Sequence, residues 1–538
     1  MRTHNFIGSR NLLNASRRNH LNASCLSLGV ALLLTLVTGC TKRFDAINDN
    51  PNSPQQVENP QLLIPSIIKN AVRNYSYTSE FTAAVCGDYY TDQYTSEFKD
   101  AWTPGQTEGL FLWNFYEQLR DAENLRIVSH NKKYSNNEGI ALILRSWLFQ
   151  VITDNFGDIP YSQAVQGKTD AVFAPAYDTQ ENVYYGLLDS LKKANTLLAT
   201  GNDPINSDIL MGGSALRWRM FANGLRLRLL MRISAKTNLK INVATEMSAI
   251  VSDANTYPLF TSNADQAALS YLDEQGNEFP AFHNGPINDY HLSTTLETNL
   301  KNINDPRIAY YAMPTPASAG TVTPMYAGVP NGIGTIESSY NGGPNFQSQV
   351  GPVLQPDGAY PGKASPTAAQ GMLLTYSEVQ FILAEARERG LIATGDAATY
   401  YMNGITDQFA YFASRLDVLN KTIPATDHTF AKSSDITPPP TYYTGTGVAY
   451  TGTTDEKLYK IRLQKWFALF YNGFEGWSEW RRTGVPKETK AGPNSAISSW
   501  PRRTRYPLSE QTENTDNYNK ALQTQGPDDL TTNVWWSK

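Results

Sequence analysis

Apolar positions recur every three to four residues over most of the chain, the spacing that lines one face of a helix. On this pattern helices are expected over 61–74, 107–130, 138–154, 179–200, 215–237, 241–253, 375–389, 397–415 and 455–473. One long stretch breaks the pattern. Between Ile308 and Pro356 the only charged residue is Glu337, while Gly and Pro recur among Tyr310, Tyr311, Tyr326, Tyr340 and Phe346. Gly and Pro disfavour helix, so this stretch reads as long ordered loops with a few short strands. Long loops on a rigid scaffold commonly carry function. A second polar block, 420–453, contains Pro438-Pro439-Pro440 and Tyr442-Tyr443. The fold class is therefore mainly α: helix-rich regions over 61–300 and 370–538, with a loop-rich insertion over 301–369; no clean 34-residue tetratricopeptide repeat is visible.

The first 39 residues have a different pattern. Arg2, Arg10, Arg17 and Arg18 precede an apolar run, LSLGVALLLTLVT at 26–38, with no acidic residue. That run is short for a membrane span, which needs about 20 residues, and has the build of a signal peptide. Val37-Thr38-Gly39-Cys40 then places an aliphatic residue and two small ones before a cysteine. This resembles a bacterial lipoprotein box and implies cleavage before Cys40 and lipidation of that residue. Residues 40–60 are polar and read as a tether. Asn48, Asp49, Asn50 and Asn52 hint at a cation loop there, but the Gly and closing Glu of a calcium loop are missing, and no metal is assigned.

Composition narrows the classes. The chain has 538 residues, 45 Lys+Arg against 50 Asp+Glu, and 41% hydrophobic residues. It is too apolar to be disordered and too acidic for a nucleic-acid binder, which shows a basic face. The arginine-rich segment 215–237 is the exception: Arg217, Arg219, Arg226, Arg228 and Arg232 surround an apolar stripe. In an acidic chain these arginines are better read as partners of neighbouring acidic helices. Three cysteines exclude a disulfide framework. Cys86, beside Ala83, Ala84 and Val85, reads as a small buried residue.

Several phrases then carry a family resemblance. They are Phe44-Asp45-Ala46-Ile47-Asn48 after the lipoprotein box, Phe156-Gly157-Asp158-Ile159-Pro160-Tyr161, and Leu216-Arg217-Trp218 leading to Leu225-Arg226-Leu227-Arg228. Further on come Tyr376-Ser377-Glu378-Val379 with Ala384-Glu385-Ala386, then Lys465-Trp466, Phe474-Glu475-Gly476-Trp477-Ser478-Glu479-Trp480 and Pro501-Arg502-Arg503. In this order, over nearly the whole chain after Cys40, they resemble the SusD/RagB-type outer-membrane nutrient-binding lipoproteins of Bacteroidetes. The resemblance implies a scaffold of tetratricopeptide-like helical pairs with a loop-rich second part, and non-catalytic capture of a nutrient, usually a glycan. It also implies outer-membrane anchoring through lipid, no cofactor, and a SusC-like TonB-dependent transporter partner over which the protein sits as a lid. The motifs themselves read as scaffold. Glu378 and Glu385, seven apart, share a helix face and can pair with the 215–237 arginines or with Arg481 and Arg482. Trp466, Trp477 and Trp480 read as core.

No two-histidine zinc motif, GxSxG elbow or phosphate loop is present. His283 and His291 share a segment with Glu278 and Asp289, where solvated histidines are the simpler reading. The alternatives to glycan capture are a lipid-anchored hydrolase of extracellular polymers and a peptide-binding member of the same transport system. Candidate ligand contacts are aromatics and amides outside helical stripes: Tyr89, Tyr90, Tyr94 and Trp102 in GDYYTDQYTSEFKDAW, and Tyr326, Tyr340, Asn341 and Phe346 in the insertion. Such rings can cover the C–H face of a neutral sugar; the alternative is that they pack the loops onto the body.

Overall fold

The computed structural model describes residues 59–92, 102, 110–283, 289–321, 323–333, 339–486, 492 and 495–537. Cys40, the signal segment, the tether and its Asn48–Asn52 loop lie outside the described residues, as does Tyr94. Pro60–Lys538 forms one compact unit.

The helices follow the apolar periodicity. In chain order the main ones are α1 (Leu63–Thr78), α2 (Phe115–Lys132), α3 (Ser135–Phe156), α4 (Gln180–Thr200), α5 (Ala215–Ile233) and α6 (Val243–Ser252). The second half adds α7 (Thr294–Asn302), α8 (Tyr376–Glu388), α9 (Ala397–Leu419), α10 (Thr454–Ala468) and α11 (Gly473–Thr483). Starts coincide with polar caps that satisfy otherwise unpaired amide donors: Ser214 accepts from Arg217 N at 3.2 Å, Thr375 from Glu378 N at 3.0 Å, and Asp396 from Thr399 N at 2.8 Å. Each helix from α1 to α6 packs on the next, α5 also packs on α8, and α8 packs on both α9 and α10. Consecutive helices thus pack in series, in line with a scaffold of helical pairs.

Two boundaries differ from the sequence expectation. The helix expected over 455–473 ends early, at Ala468: the chain turns at Leu469–Asn472 and the next helix starts at Gly473. Gly473 lies so close to the backbone of Ser79 and Ala83–Ala84 that a Cβ would come within 2.3 Å of the Ser79 carbonyl oxygen. Second, α3 stops at Phe156 because Gly157 adopts φ +87°, the left-handed region that suits glycine. Asp158 then accepts from Gln180 N at 2.8 Å and so ties this turn to the start of α4.

The fold class holds: mainly α, with few short strands. The described strands pair antiparallel in twos: β1 (Tyr90–Asp92) with β5 (Tyr290–Leu292), β2 (Ile159–Pro160) with β3 (Tyr177–Asp178), and β4 (Ala267–Ser270) with β6 (Gln370–Leu374). All six lie outside 301–369. The strands expected inside the insertion are replaced, among the described residues, by 3-10 turns and isolated bridges such as His291 to Gln349 and Ser293 to Val329. Pro at the start of those turns supplies the fixed φ but no ladder donor.

The centre of the body is charged. On α5, Arg228 meets Glu378 of α8 at 2.7 Å and Glu475 of α11 at 3.4 Å. One turn on, Arg232 bridges Asp154 of α3 and Glu475. Gln150 donates to Glu475 at 2.6 Å, and Trp536 Nε1 donates to Asp154 at 2.8 Å. A second cluster surrounds Glu385 of α8, paired with Arg482 at 2.6 Å and Arg462 at 2.9 Å. Arg226, the third inward arginine of α5, pairs with Glu246 of α6 at 3.1 Å. The arginine-rich helix is therefore an internal tie. Trp466, Trp477 and Trp480 are buried, as is Cys86, whose thiol burial pushes up to about 12.

Burial opposes ionisation of Glu475, but Arg228 and Arg232 outweigh it and bring its carboxyl down to about 2. A carboxyl depressed in the folded state stabilises fully above its ordinary value near 4.5 and loses that contribution as pH falls toward 2. Glu475→Ala strands two buried arginines and is expected to lower the unfolding free energy by about 3–5 kcal/mol. Urea titrations at pH 7 and across pH 5 to 2 check both statements: the variant should be weaker at neutral pH and lose less on acidification than the parent.

Candidate functional site

The insertion is held against α7 by a short chain of polar contacts. Ser293 caps α7, accepting from Leu296 N at 3.0 Å, and donates to the Asp88 carbonyl at 2.5 Å. On the next turns Glu297 accepts from Gly328 N at 2.9 Å, and Lys301 donates to the Tyr326 carbonyl at 2.8 Å. Ser348 and Ala327 exchange bonds at 2.8 and 3.1 Å. Thr315 and Met325 join the two arms of the 313–327 loop at 2.8 Å. Asn341 takes φ +52°, a left-handed conformation that asparagine tolerates, and its amide donates to the Phe346 carbonyl at 2.9 Å.

These contacts frame an open cleft of about 550 Å³, lined among others by Lys301, Asn304, Thr315, Tyr326, Asn341 and Phe346. Three of the expected contact residues, Tyr326, Asn341 and Phe346, thus meet across 20 residues of loop. Tyr340, half-buried, precedes Asn341 and lies outside this lining. Phe346 is 43% exposed and Met325 56%, so both side chains are open to a ligand entering the cleft. Burial raises the Tyr326 phenol, which stays neutral at physiological pH. The charged groups here are compensated: Lys301 pairs with Glu297 at 2.6 Å, and the buried Asp305 with Arg307 at 2.5 Å. The wall is aromatic, amide, hydroxyl and proline, with its charges internally paired. Such a surface suits a neutral polar ligand with an apolar face.

The other group of expected contacts is corrected. Tyr89, Tyr90 and Trp102 are each no more than 1% exposed. Tyr89 stacks on Trp466 with ring centroids 4.6 Å apart, and its hydroxyl donates to the Trp466 carbonyl at 2.6 Å. Tyr90 packs edge-on against Phe470 at 5.3 Å, and Trp102 against Trp500 at 5.2 Å. Their faces are occupied by other rings of the core, so no sugar can reach them. The histidine segment also separates. His283 is exposed beside Glu278 at 3.1 Å, whereas His291 is buried in β5. Among the described residues no group of three or more His, Cys, Asp or Glu is placed to hold a metal ion.

The sequence reading missed a second wall. Residues 424–435, within the polar block noted above, contribute Pro424, Thr426, His428, Phe430 and Asp435 to the clefts beside the first. Composition flagged this block as loop; nothing in its local pattern indicates which loop it faces a hundred residues earlier.

The geometry defines a helical scaffold with an open cleft in a loop-rich insertion. The chain belongs to the SusD-like family described as starch-binding and associating with the outer membrane, whose profile matches residues 51–507. It is similar to a SusD homologue from Bacteroides fragilis, with 26% identity, TM-score 0.75, and coverage of 90% of this chain and 100% of that one. It is also similar to a chitin-binding protein, with 26% identity, TM-score 0.73, and coverage of 89% and 100%. A chitin-binding SusD homologue from Flavobacterium johnsoniae shares the fold at 24% identity, TM-score 0.69, and coverage of 89% and 98%. No curated protein sequence matches the chain significantly. Among the described residues no helix is long and apolar enough to cross a membrane.

Two outcomes check these placements. Tyr89→Ala should cost about 3–5 kcal/mol of stability as a core deletion, whereas Phe346→Ala should stay within about 0.5 kcal/mol; chemical denaturation compares them. Burial lowers the His291 imidazole from 6.5 to about 4. The unfolded chain therefore takes up this proton first, and its contribution to stability falls as pH drops from 6.5 to 4. A histidine NMR titration should find one ring neutral down to about pH 4.

Proposed function

We propose that this protein captures a neutral glycan at the outer membrane, without catalysis, and passes it to a SusC-like TonB-dependent transporter. The observation that carries the reading is the cleft at Tyr326, Asn341 and Phe346: an exposed ring, a half-buried ring and an amide between paired charges, on a SusD-like scaffold. Rings cover the apolar faces of sugars and amides exchange hydrogen bonds with hydroxyls. A charged polymer or a peptide terminus would find no unpaired counter-charge among Lys301, Glu297, Asp305 and Arg307. The chitin-binding protein at 26% identity supports a glycan as the ligand class. Cys40, lipidated, holds the protein on the membrane, and the polar stretch after it acts as tether; the bundle itself needs no spanning helix.

Isothermal titration against malto- and chito-oligosaccharides is expected to give binding with no release of reducing ends. Phe346→Ala should weaken it by about tenfold, the loss of one stacking partner. Steady production of new reducing ends that tracks the purified protein would establish a hydrolase instead. Affinity isolation of the tagged lipoprotein from mildly solubilised outer membranes should bring down a TonB-dependent barrel in equal amount. Cys40→Ala should move the protein out of the membrane fraction.

A further inference from the structure

Glu80 is a buried acid with no part in the cleft. It stands in a π turn, Ser79–Ala83, that directly follows α1; such turns interrupt helices mostly at functional places. The residue is 1% exposed, and neither carboxyl oxygen has a hydrogen-bond partner among the described residues. No cation pairs with it there, whereas Glu378, Glu385, Glu475 and Glu479 each meet an arginine. Its surroundings are phenols: Tyr90 of β1, Tyr271 after β4 and Tyr411 of α9, each raised by burial and further by the Glu80 carboxyl. The charges on the elements around it are engaged elsewhere. On α1, Arg73 donates to the Glu278 carbonyl. On α9, Arg415 lies over the Tyr411 ring, 5.8 Å from its centroid. On β1, Asp92 acts on Tyr290. On α11, which packs on the π turn, Glu475 and Glu479 meet Arg232 and Arg482, and Arg481 stacks on Trp477 at 4.0 Å. Cys86, just past the turn, is a neutral thiol, and β6 has no titratable side chain.

A carboxylate isolated from water is so costly that the group takes up a proton instead. Where this one sits then matters for the cleft. The chain enters the insertion through β5 and α7 and leaves it through β6. Strand β5 pairs with β1, which carries Tyr90. Strand β6 lies on the side of α1 that leads to Glu80: a Cβ on Gly371 would come within 2.3 Å of Val72 Cγ1 and 2.9 Å of Ser76 Oγ, and Glu80 follows Ser76 by four residues. Tyr411, beside Glu80, donates to Gln370 of β6 at 3.1 Å. Both ends of the insertion therefore rest on elements that surround one carboxyl. We propose that Glu80 is a proton-sensitive latch: it is the neutral acid in the folded protein, and loss of its proton loosens the β1–β5 and β6 seat on which the insertion and its cleft are built. Burial raises this carboxyl well above its ordinary value of 4.5. A group raised in the folded state stabilises fully below that ordinary value and loses its contribution as pH rises toward the folded one.

The test needs no ligand. The full chain and its Glu80→Gln variant, which keeps the shape but cannot ionise, are unfolded in urea from pH 5 to 8. The folding constant of the variant relative to the parent is expected to grow by about tenfold for each pH unit until Glu80 ionises in the folded state. Hydrogen exchange at pH 8 in peptides covering Tyr90–Asp92, Tyr290–Leu292 and Gln370–Leu374 should be at least about tenfold faster in the parent than in the variant. If the Gln variant folds poorly, Glu80→Leu replaces it, and the infrared spectrum of the parent at pH 7 should show the carbonyl stretch of a protonated carboxylic acid. Parallel pH profiles in parent and variant, or no such band, overturn the neutral acid and the latch with it. Diverging profiles with equal exchange in the three peptides overturn the coupling to the insertion.

Discussion

The structure depends on neutralising charges in its interior. Arg228 and Arg232 on α5 are no more than 3% exposed, and each would carry a desolvation cost of several kcal/mol unless partnered. Their partners come from three different helices: Asp154 from α3, Glu378 from α8 and Glu475 from α11. Removing any one element leaves the others with buried charge. The network therefore acts less as added stability than as a condition on assembly, because only one arrangement of these four helices satisfies it. The neighbouring cluster around Glu385 and Arg482 repeats the constraint between α8, α10 and α11.

This requirement has a consequence for the site. The insertion leaves the scaffold near α7 and returns through β6 directly before α8, whose position the charge network sets. Its loops have few ladder bonds of their own; they are held at their ends and by contacts such as Glu297 to Gly328 and Ser348 to Ala327. A rigid frame with irregular loops between fixed points can present Phe346 and Met325 to solvent, because their packing is not what holds the fold. Across the cleft, Lys363 and Asp427 pair at 2.8 Å and secure the facing 424–435 loop.

The fold was legible because its signals are local. Helical spacing acts within a few residues, and the ordered family phrases cover the rest. Glu378 and Glu385 could be matched to arginines because a seven-residue spacing puts both on one face. The site was legible only in part. Tyr326, Asn341 and Phe346 stand in a charge-poor loop and line one cleft, whereas Tyr89, Tyr90 and Trp102 come from a polar segment that also holds Asp88, Asp92, Glu97, Lys99 and Asp100 and lie in the core.

By itself, then, the sequence determined the class of fold, the scaffold role of the Trp and Arg motifs, and the charge-poor, aromatic character of the insertion, all properties of residue type and short spacing. Tertiary structure alone decided which aromatic rings are spent on packing, since that depends on Trp466, Phe470 and Trp500, hundreds of residues away. It alone decided that the 424–435 loop faces the insertion. Burial and apposition are properties of distant pairs, and an aromatic side chain in a polar loop has the same sequence signature whether a sugar or another ring covers its face.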